Sequence, residues 1–249
     1  MMKTKRIMCT VKYDGSKFLG YQIQPKGRTV QQEIERALKT ICKQEITTHA
    51  AGRTDSGVHA LGQVFHFDSP LDIDAHCYKR AFNSVLPKDV YITDSKEVDH
   101  RLHARFHAKK KEYHYRLSTN EHDPLSCDYV HYHRLPLNLK RMQEAINYFW
   151  GTHDFTSFTA NLEKTDKQRT IYVAEIHEHP AGEYLFRFVG SGFMKYMVRI
   201  MVGTLICVGV GKMKPEEIPL IIAAKERNFA GPTAKPEGLY LHSVQYELQ

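Results

Sequence analysis

Residues 50–68 constrain the fold most, because two extended segments in this stretch flank a short polar turn. After the turn, residues 63–68 alternate between apolar and polar side chains, as expected of a half-buried strand. The turn itself, Arg53-Thr54-Asp55-Ser56-Gly57, ends in a glycine that can adopt a positive φ. Such a turn can hold the carboxylate of Asp55 at the mouth of a cleft beside a cation. An ordinary surface turn is the alternative interpretation, because Asp and Gly are common turn residues.

Alternation of apolar and polar residues predicts strands along the whole chain. In the first half, strands are expected at residues 7–13, on both sides of the Asp55 turn and at 90–98. With two helices between them, they give the order β-α-β-β-α-β, the split β-α-β arrangement. In the second half, strands are expected at residues 113–117, 171–177, 184–189 and 239–248.

Capping residues and helical spacing predict two helices in the first half. Thr29 is the expected N-cap of the first helix, with Gln32 completing a capping box. Asp74 is the expected N-cap of the second helix, which ends before Pro87. Their buried faces are predicted to be apolar residues at helical spacing: Val30, Ile34, Leu38 and Ile41 in the first helix, and Cys77, Tyr78, Ala81, Phe82 and Val85 in the second.

The second half is predicted to contain three helices. Asn138 is the expected N-cap of the first of them, which Gly151 ends. A long apolar helix is expected at residues 194–208. A shorter helix opens at Pro215, a residue favoured at the first helical position, and contains Pro219.

These elements predict an α+β protein of two related split β-α-β units, of the ferredoxin or RRM type. The two units are expected to share a mainly antiparallel mixed sheet with helices packed on it. The predicted domains are residues 1–108, which carry Asp55, and residues 109–249, with the active-site cleft between them.

Composition narrows the function. The chain contains 35 Lys and Arg against 28 Asp and Glu, a formal charge of +7, which favours a polyanionic partner, nucleic acid first. A basic protein without such a partner is the alternative. No apolar run approaches the roughly 18 residues of a membrane span, and the N-terminus does not resemble a signal peptide. Five widely spaced cysteines, without a Cys-x-x-Cys pair, indicate a reducing cytoplasm.

Arg199 is the only charged residue between positions 196 and 208, within the long apolar helix. An arginine in that setting either extends to solvent or meets a carboxylate, because an unpaired buried charge is very costly. If the partner is Asp55, Arg199 would favour the ionised carboxylate and lower its pKa. That ionised state suits a nucleophile or an electrostatic role, not a general acid.

Residues 109–116 interleave positive charge with aromatic rings at strand spacing, so Tyr113 and Tyr115 are expected on one face. Cations meet phosphates, and aromatic rings stack on bases. An ordinary edge strand with solvated lysines is the alternative. His100, His103 and His107 could share a helix face, but no pattern supplies a further ligand, so no metal site is expected.

The block Gly52-Arg53-Thr54-Asp55-Ser56-Gly57-Val58-His59-Ala60 resembles the signature of the tRNA pseudouridine synthase A family. Ser56 is a departure, since the family often has alanine there. Other blocks agree and come in the expected order along nearly the whole chain: Tyr13-Asp14-Gly15-Ser16, Gly20-Tyr21-Gln22, His103-Ala104-Arg105-Phe106, residues 111–115, residues 151–158, Met197-Val198-Arg199 and residues 237–241.

The resemblance implies an isomerase that converts uridine to pseudouridine at positions 38, 39 and 40 of the tRNA anticodon stem-loop. It implies Asp55 as the nucleophile and Arg199 as the arginine that pairs with it. Tyr113 matches the residue that packs on the target uracil, and Arg53 one that helps to hold or extrude the target nucleotide. Leu239 matches a position that lines the uracil pocket.

The resemblance also implies no cofactor, no required metal and a cytoplasmic homodimer that binds tRNA across a basic surface. Whether Asp55 attacks the base or the ribose, or takes a proton from the sugar, stays open. Two alternatives come from other classes. A non-catalytic RNA-binding module would account for the charge and the aromatic residues, and a histidine-dependent metallohydrolase would use the histidines.

Overall fold

A computed structural model describes residues 4–160 and 165–247 of the chain, which divides into two compact units. The first unit contains the residues up to Lys109 and those from Leu241 onwards, and the second contains Lys110–Tyr240. The predicted boundary, between residues 108 and 109, lies beside the first of these division points. The domain assignment and its cleft stay a prediction.

The first unit has the predicted order of strands and helices. Strand β1 pairs antiparallel with both β3 and β4. In the sheet β3 is followed by the last strand, β10 (Leu239–Tyr246), which belongs to this unit from Leu241. The short strand β2 also pairs with β3, outside the main strand order of the sheet. The elements are β1 (Lys5–Tyr13), α1 (Val30–Cys42), β2 (His49–Ala50), β3 (His59–Ser69), α2 (Cys77–Val85) and β4 (Val90–Val98).

Helix α1 forms as its sequence predicts. The Thr29 side chain accepts a hydrogen bond from the backbone N–H of Gln32, at 3.4 Å, which satisfies one of the donors left free at a helix start. Three of the four residues predicted for its inner face are fully buried, and Ile41 is half-buried. The helix ends where Lys43 adopts a left-handed conformation, with φ of 58°.

Helix α2 and strand β2 correct the sequence prediction. Helix α2 begins at Cys77 with no side-chain cap, so the N-cap predicted at Asp74 is wrong. Asp74 contributes its backbone carbonyl instead, which accepts from the N–H of Cys77 at 2.9 Å in a preceding turn. Val85, predicted to face inward, is 43% exposed. The strand before the Asp55 turn is only two residues long.

The second unit also combines an antiparallel sheet with helices. Its strand order is β5-β9-β8-β7, antiparallel at each step, and β6 pairs in parallel with the end of β5. Together the two units confirm the predicted α+β class. The elements are β5 (Ala108–Ser118), β6 (His131–Tyr132), α3 (Leu139–Ile146), β7 (Gly151–Asp154), β8 (Gln168–Glu178), β9 (Glu183–Gly190), α4 (Met197–Gly209), α5 (Glu217–Ala224) and β10 (Leu239–Tyr246).

Helix boundaries in the second unit differ from prediction by a few residues. The Asn138 side chain caps α3 as predicted, accepting from the N–H of Arg141 at 3.0 Å. Helix α5 begins at Glu217, not Pro215, so Pro219 is its third residue. A proline is tolerated there because the N–H it lacks would have no partner in the first turn. Leu248, the predicted end of the last strand, lies outside the described residues.

Helix α4 is the apolar helix that the sequence predicts, although it begins at Met197 and not at residue 194. Nearly all of its residues are buried, so it forms part of the core of the second unit, where it packs against α3. Within the described ranges, no helix has the length and apolar character required to cross a bilayer.

Two residues of α2 test the corrected orientation of that helix. Phe82 is fully buried, with its ring edge-on to those of Phe65 and Phe67, whereas Val85 lies one turn later and is exposed. Phe82→Ala should lower the free energy of unfolding by about 3–5 kcal/mol, because it leaves a cavity. Val85→Ala should change it by less than about 0.5 kcal/mol. Urea denaturation measures both, and equal losses would contradict the orientation.

Candidate active site

Asp55 lies in the loop between β2 and β3, where its side chain is half-buried. The residues after it form a tight turn, in which the N–H of Val58 donates to the carbonyl of Asp55 at 3.2 Å. Gly57 has φ of +76°, a conformation that favours glycine. The structure thus places Asp55 on the predicted turn. Residues 18–21, earlier in the chain, form hydrogen bonds with that turn.

Hydrogen bonds from residues 18–21 hold the Asp55 turn. The N–H of Tyr21 donates to the carbonyl of Thr54 at 3.1 Å, directly before Asp55. The carbonyl of Phe18 accepts from the N–H of Gly57 at 3.2 Å and from the hydroxyl of Ser56 at 3.3 Å. The backbone is therefore fixed on both sides of the carboxylate.

A buried side-chain hydrogen bond adds to these contacts. The hydroxyls of Tyr13, at the end of β1, and Thr54 lie 2.7 Å apart and both residues are buried. Burial raises the pKa of the Tyr13 phenol, so it stays protonated and can act as a donor at neutral pH. This bond couples the sheet to the residue that precedes Asp55.

Two glycines allow the segments to approach so closely. A Cβ on Gly15 would lie 2.0 Å from the carbonyl oxygen of Val58, and a Cβ on Gly20 would lie 2.7 Å from that of Thr54. Gly20 also has φ of +99°. A side chain at either position would clash with the backbone of the Asp55 turn, which explains why both residues are glycine.

Arg28 stabilises the segment of residues 18–21 through a contact with Phe18. Its guanidinium carbon lies 4.2 Å from the centre of the Phe18 ring, within the range of a cation–π contact. The same group donates to both carboxylate oxygens of Asp89, at 2.6 and 2.9 Å, and to Glu33 at 2.7 Å. This cluster was not predicted, because the sequence offers no pattern that links residues so far apart.

In the second unit, Tyr113 and Tyr115 share one face of β5 and both are buried. Tyr113, 8% exposed, meets Phe193 edge-on, with ring centres 5.1 Å apart. The Tyr115 hydroxyl donates to the carbonyl of Lys235 at 2.8 Å and lies 2.7 Å from Nδ1 of His131. Because the single hydroxyl proton of Tyr115 goes to Lys235, Nδ1–H of His131 donates to the Tyr115 oxygen. Burial lowers the pKa of His131 to about 4, so this ring is neutral. Tyr115 is a core residue and not a base-stacking surface.

Arg199 lies in the first turn of α4 and is half-buried. Its Nε donates to the carbonyl of Ala234 at 2.7 Å, and its guanidinium carbon lies 5.1 Å from the centre of the Tyr196 ring. Tyr196 precedes the helix with φ of +63°, a conformation rare for a non-glycine residue. A carbonyl and an aromatic ring of the same unit therefore orient this guanidinium.

The remaining predicted residues divide between the two units. Arg53, two residues before Asp55, is exposed in the first unit. Leu239 is buried at the start of β10, in the second unit with Tyr113 and Arg199. The pairing of Asp55 with Arg199 stays a prediction.

The histidines of residues 100–107 do not share a helix face, so that prediction is wrong. The segment is a series of turns. Nδ1 of His103 accepts from the N–H of Arg105 at 3.1 Å, and Nδ1 of His107 accepts from the N–H of His103 at 3.0 Å. Backbone donors therefore occupy Nδ1 of both of these rings.

Comparisons with known proteins agree with the resemblance. A family model described as tRNA pseudouridine synthase matches residues 9–107 and 145–247. The tRNA pseudouridine synthase A 1 of Bacillus cereus is 50% identical over 244 residues, which cover 97% of this chain and 98% of that protein. The tRNA pseudouridine synthase A of Anoxybacillus flavithermus is 49% identical over 245 residues, 98% and 99% of the two chains.

Two glycines with positive φ test the contact at the Asp55 turn. Gly20→Ala adds both backbone strain and a clash with the Thr54 carbonyl. Gly211→Ala, at φ of +81°, adds the strain, but its Cβ would meet nothing closer than 3.6 Å. Thermal and urea unfolding should show a loss of about 1–2 kcal/mol for Gly211→Ala and a clearly larger loss for Gly20→Ala. Equal losses would mean that the contact is dispensable.

Proposed function

Because the chain belongs to the tRNA pseudouridine synthase family and so isomerises uridine to pseudouridine in tRNA, we propose that it acts at positions 38, 39 and 40 of the anticodon stem-loop, with Asp55 as the nucleophile. The observation that carries the assignment of the nucleophile is the fixed, half-buried Asp55 turn within the family's signature block. The two alternatives considered from the sequence have no comparable support.

The reaction requires a carboxylate at a fixed position. The uracil leaves C1′ of the ribose, turns, and rejoins it through C5. A carboxylate can take part covalently, and holding it in one place converts a bimolecular encounter into a step within the complex. Hydrogen bonds to Thr54, Ser56 and Gly57 provide that restraint at Asp55. Attack on the base, attack on the ribose and removal of a sugar proton all place the carboxylate beside the target nucleotide.

The other proposed roles follow from the family resemblance and from the local geometry of each residue. Arg199 would pair with Asp55 and favour its ionised form, and its contacts with Tyr196 and Ala234 hold the guanidinium in one orientation. Tyr113 would pack on the target uracil. Arg53 is exposed, as required of a residue that contacts the extruded nucleotide. Leu239 would line the uracil pocket. No cofactor enters the proposal.

Binding must offset the cost of moving the target nucleotide out of its stack, a few kcal/mol. Packing of the target base on Tyr113 and phosphate contacts from lysines and arginines would offset that cost. With 35 Lys and Arg against 28 Asp and Glu, tRNA affinity should fall steeply with salt. The proposal includes a cytoplasmic homodimer that binds tRNA across a basic surface formed by both subunits.

Asp55→Asn tests the nucleophile. It should retain tRNA binding and lose turnover, because the amide keeps the shape of the side chain but cannot act as a nucleophile. Release of tritium from tRNA labelled at uridine C5 measures turnover, and filter binding measures affinity. Asp94→Asn, at an exposed position of β4, is the control and should match the wild type. Substantial pseudouridine formation by pure Asp55→Asn protein would refute the role.

Arg199→Ala tests the charge pairing through pH. A neighbouring cation favours an ionised carboxylate, so its removal should move the acidic limb of the kcat/KM profile to higher pH. Arg199→Lys retains the charge and should leave the limb closer to its original position. An acidic limb at the same pH in all three proteins would show that Arg199 does not act on the charge of Asp55.

A further inference from the structure

Phe106, in the segment between β4 and β5, is a large apolar side chain that is 75% exposed. Single exposed apolar residues are common and need no explanation. Phe106, however, is the outer member of a row of aromatic rings. Its ring lies on that of His103, with centres 4.4 Å apart, and His103 meets the buried His66 edge-on at 4.7 Å. His49 contacts both histidines, at 5.1 and 5.4 Å.

The segment that presents Phe106 is anchored in the core of the first unit. Ala104 is fully buried in a small apolar cluster with Met8, Ala51 and Val64. Its N–H donates to Nδ1 of His66 at 3.1 Å. Its carbonyl accepts from the hydroxyl of Tyr246 at 2.6 Å. Two residues later the chain turns Phe106 outward, so the exposed ring stands on a fixed base.

Arg6 fixes the start of the same segment. Its guanidinium donates to the carbonyl of Leu102 at 2.9 Å and to that of His100. The same group binds both carboxylate oxygens of Asp68, each at 2.8 Å, so the arginine is itself held in place. A surface loop that uses a buried alanine and a paired arginine to display a phenylalanine is preorganised, which lowers the entropic cost of binding to it.

His66 and His103, which lie beneath Phe106, are uncharged at neutral pH. Burial lowers the pKa of His66 to about 4, with a smaller contribution from the Arg6 cation, and burial lowers the pKa of His103 as well. The stack is therefore a neutral aromatic column whose free face is the Phe106 ring.

Positively charged residues flank Phe106 in the sequence. Residues 100–109 contain three cations and no acidic residue. Arg101 pairs with Asp99, and Lys109 with Glu247 at 3.4 Å. Arg105 is exposed, and among the described residues no acidic side chain pairs with it. A free aromatic face beside an arginine is the combination with which proteins bind single-stranded nucleic acid, the ring stacking on a base and the cation meeting a phosphate.

We propose that Phe106 and Arg105 form a stacking site for an unpaired base of the bound tRNA, with Phe106 against the base and Arg105 against a flanking phosphate. The inference rests on the proposed function, which supplies RNA as the ligand. It adds an RNA contact on a second, separate segment of the chain from the Asp55 turn.

The test is the affinity of protein variants for tRNA, measured at several salt concentrations. Loss of one base stack corresponds to roughly 1–3 kcal/mol, so Phe106→Ala should raise the Kd for tRNA by about 5- to 150-fold. Phe106→Tyr retains a ring and should restore most of the affinity. Arg105→Ala should reduce the slope of log K against log salt by roughly 0.7–0.9, whereas Phe106→Ala should leave that slope unchanged.

Tyr91→Ala is the matched control. Tyr91 is also an exposed aromatic residue of the first unit, 44% exposed, with the Lys12 ammonium 5.1 Å from its ring centre. The Tyr91→Ala protein should bind tRNA within about twofold of the wild type, because Tyr91 lies outside the proposed stacking site. Truncation of a surface side chain should also change its thermal stability only slightly. Equal losses for Tyr91→Ala and Phe106→Ala would indicate non-specific binding and overturn the proposal.

A fluorescent reporter gives a direct readout of stacking. Trp150 is the only tryptophan in the chain, so Phe106→Trp combined with Trp150→Phe carries a single indole at the proposed site. Addition of tRNA should quench it, and unlabelled heparin, a polyanion without bases, should not. Wild-type tRNA affinity in the Phe106→Ala protein would overturn the proposal. So would a smaller species of this variant in analytical ultracentrifugation, because it would assign Phe106 to a contact between copies of the chain. Failure of the proposed function would appear differently, as wild-type protein that forms no pseudouridine.

Discussion

The close approach of two backbone segments at the Asp55 turn is the interaction on which the site depends. The turn is held mainly by main-chain groups of Phe18 and Tyr21, which are far from it in sequence but adjacent in the fold. Main-chain bonds fix the position of the turn without depending on which side chain is present. The cost is steric, because Gly15 and Gly20 must lack a Cβ for the contact to form.

This arrangement also explains why a polar, half-buried loop can be rigid. Loops are ordinarily mobile because few of their backbone groups are paired within the protein. Here the carbonyl of Thr54 and the N–H of Gly57 are both satisfied by the earlier segment. The Arg28 guanidinium, stacked on Phe18 and paired with Asp89, then fixes that segment in turn. Arg28 thus restrains the segment of residues 18–21, and that segment restrains the backbone on both sides of Asp55.

The sequence was sufficient for features that depend on local spacing. Alternation located β1 and β4, and the capping residues Thr29 and Asn138 located the starts of α1 and α3. Prediction failed where a local sequence pattern is compatible with two different structures. The Asp74 carboxylate could cap a helix, but the chain formed a separate turn there, and only the tertiary path distinguishes these. The site was predicted as single residues, not as a network.

The aromatic residues show that a local sequence pattern also does not predict which side chains are exposed. Both the Tyr113 strand and the Phe106 turn combine rings with cations, and the sequence pattern left the strand open as either an RNA contact or an ordinary edge strand. In a strand, alternate side chains must point to one face, and because that face of β5 is covered, Tyr115 is fully buried and Tyr113 nearly so. A turn imposes no such alternation. It can bury Ala104 and expose Phe106 two residues later. Exposure of an aromatic ring therefore depends on where the backbone stops being regular, which composition and periodicity do not reveal.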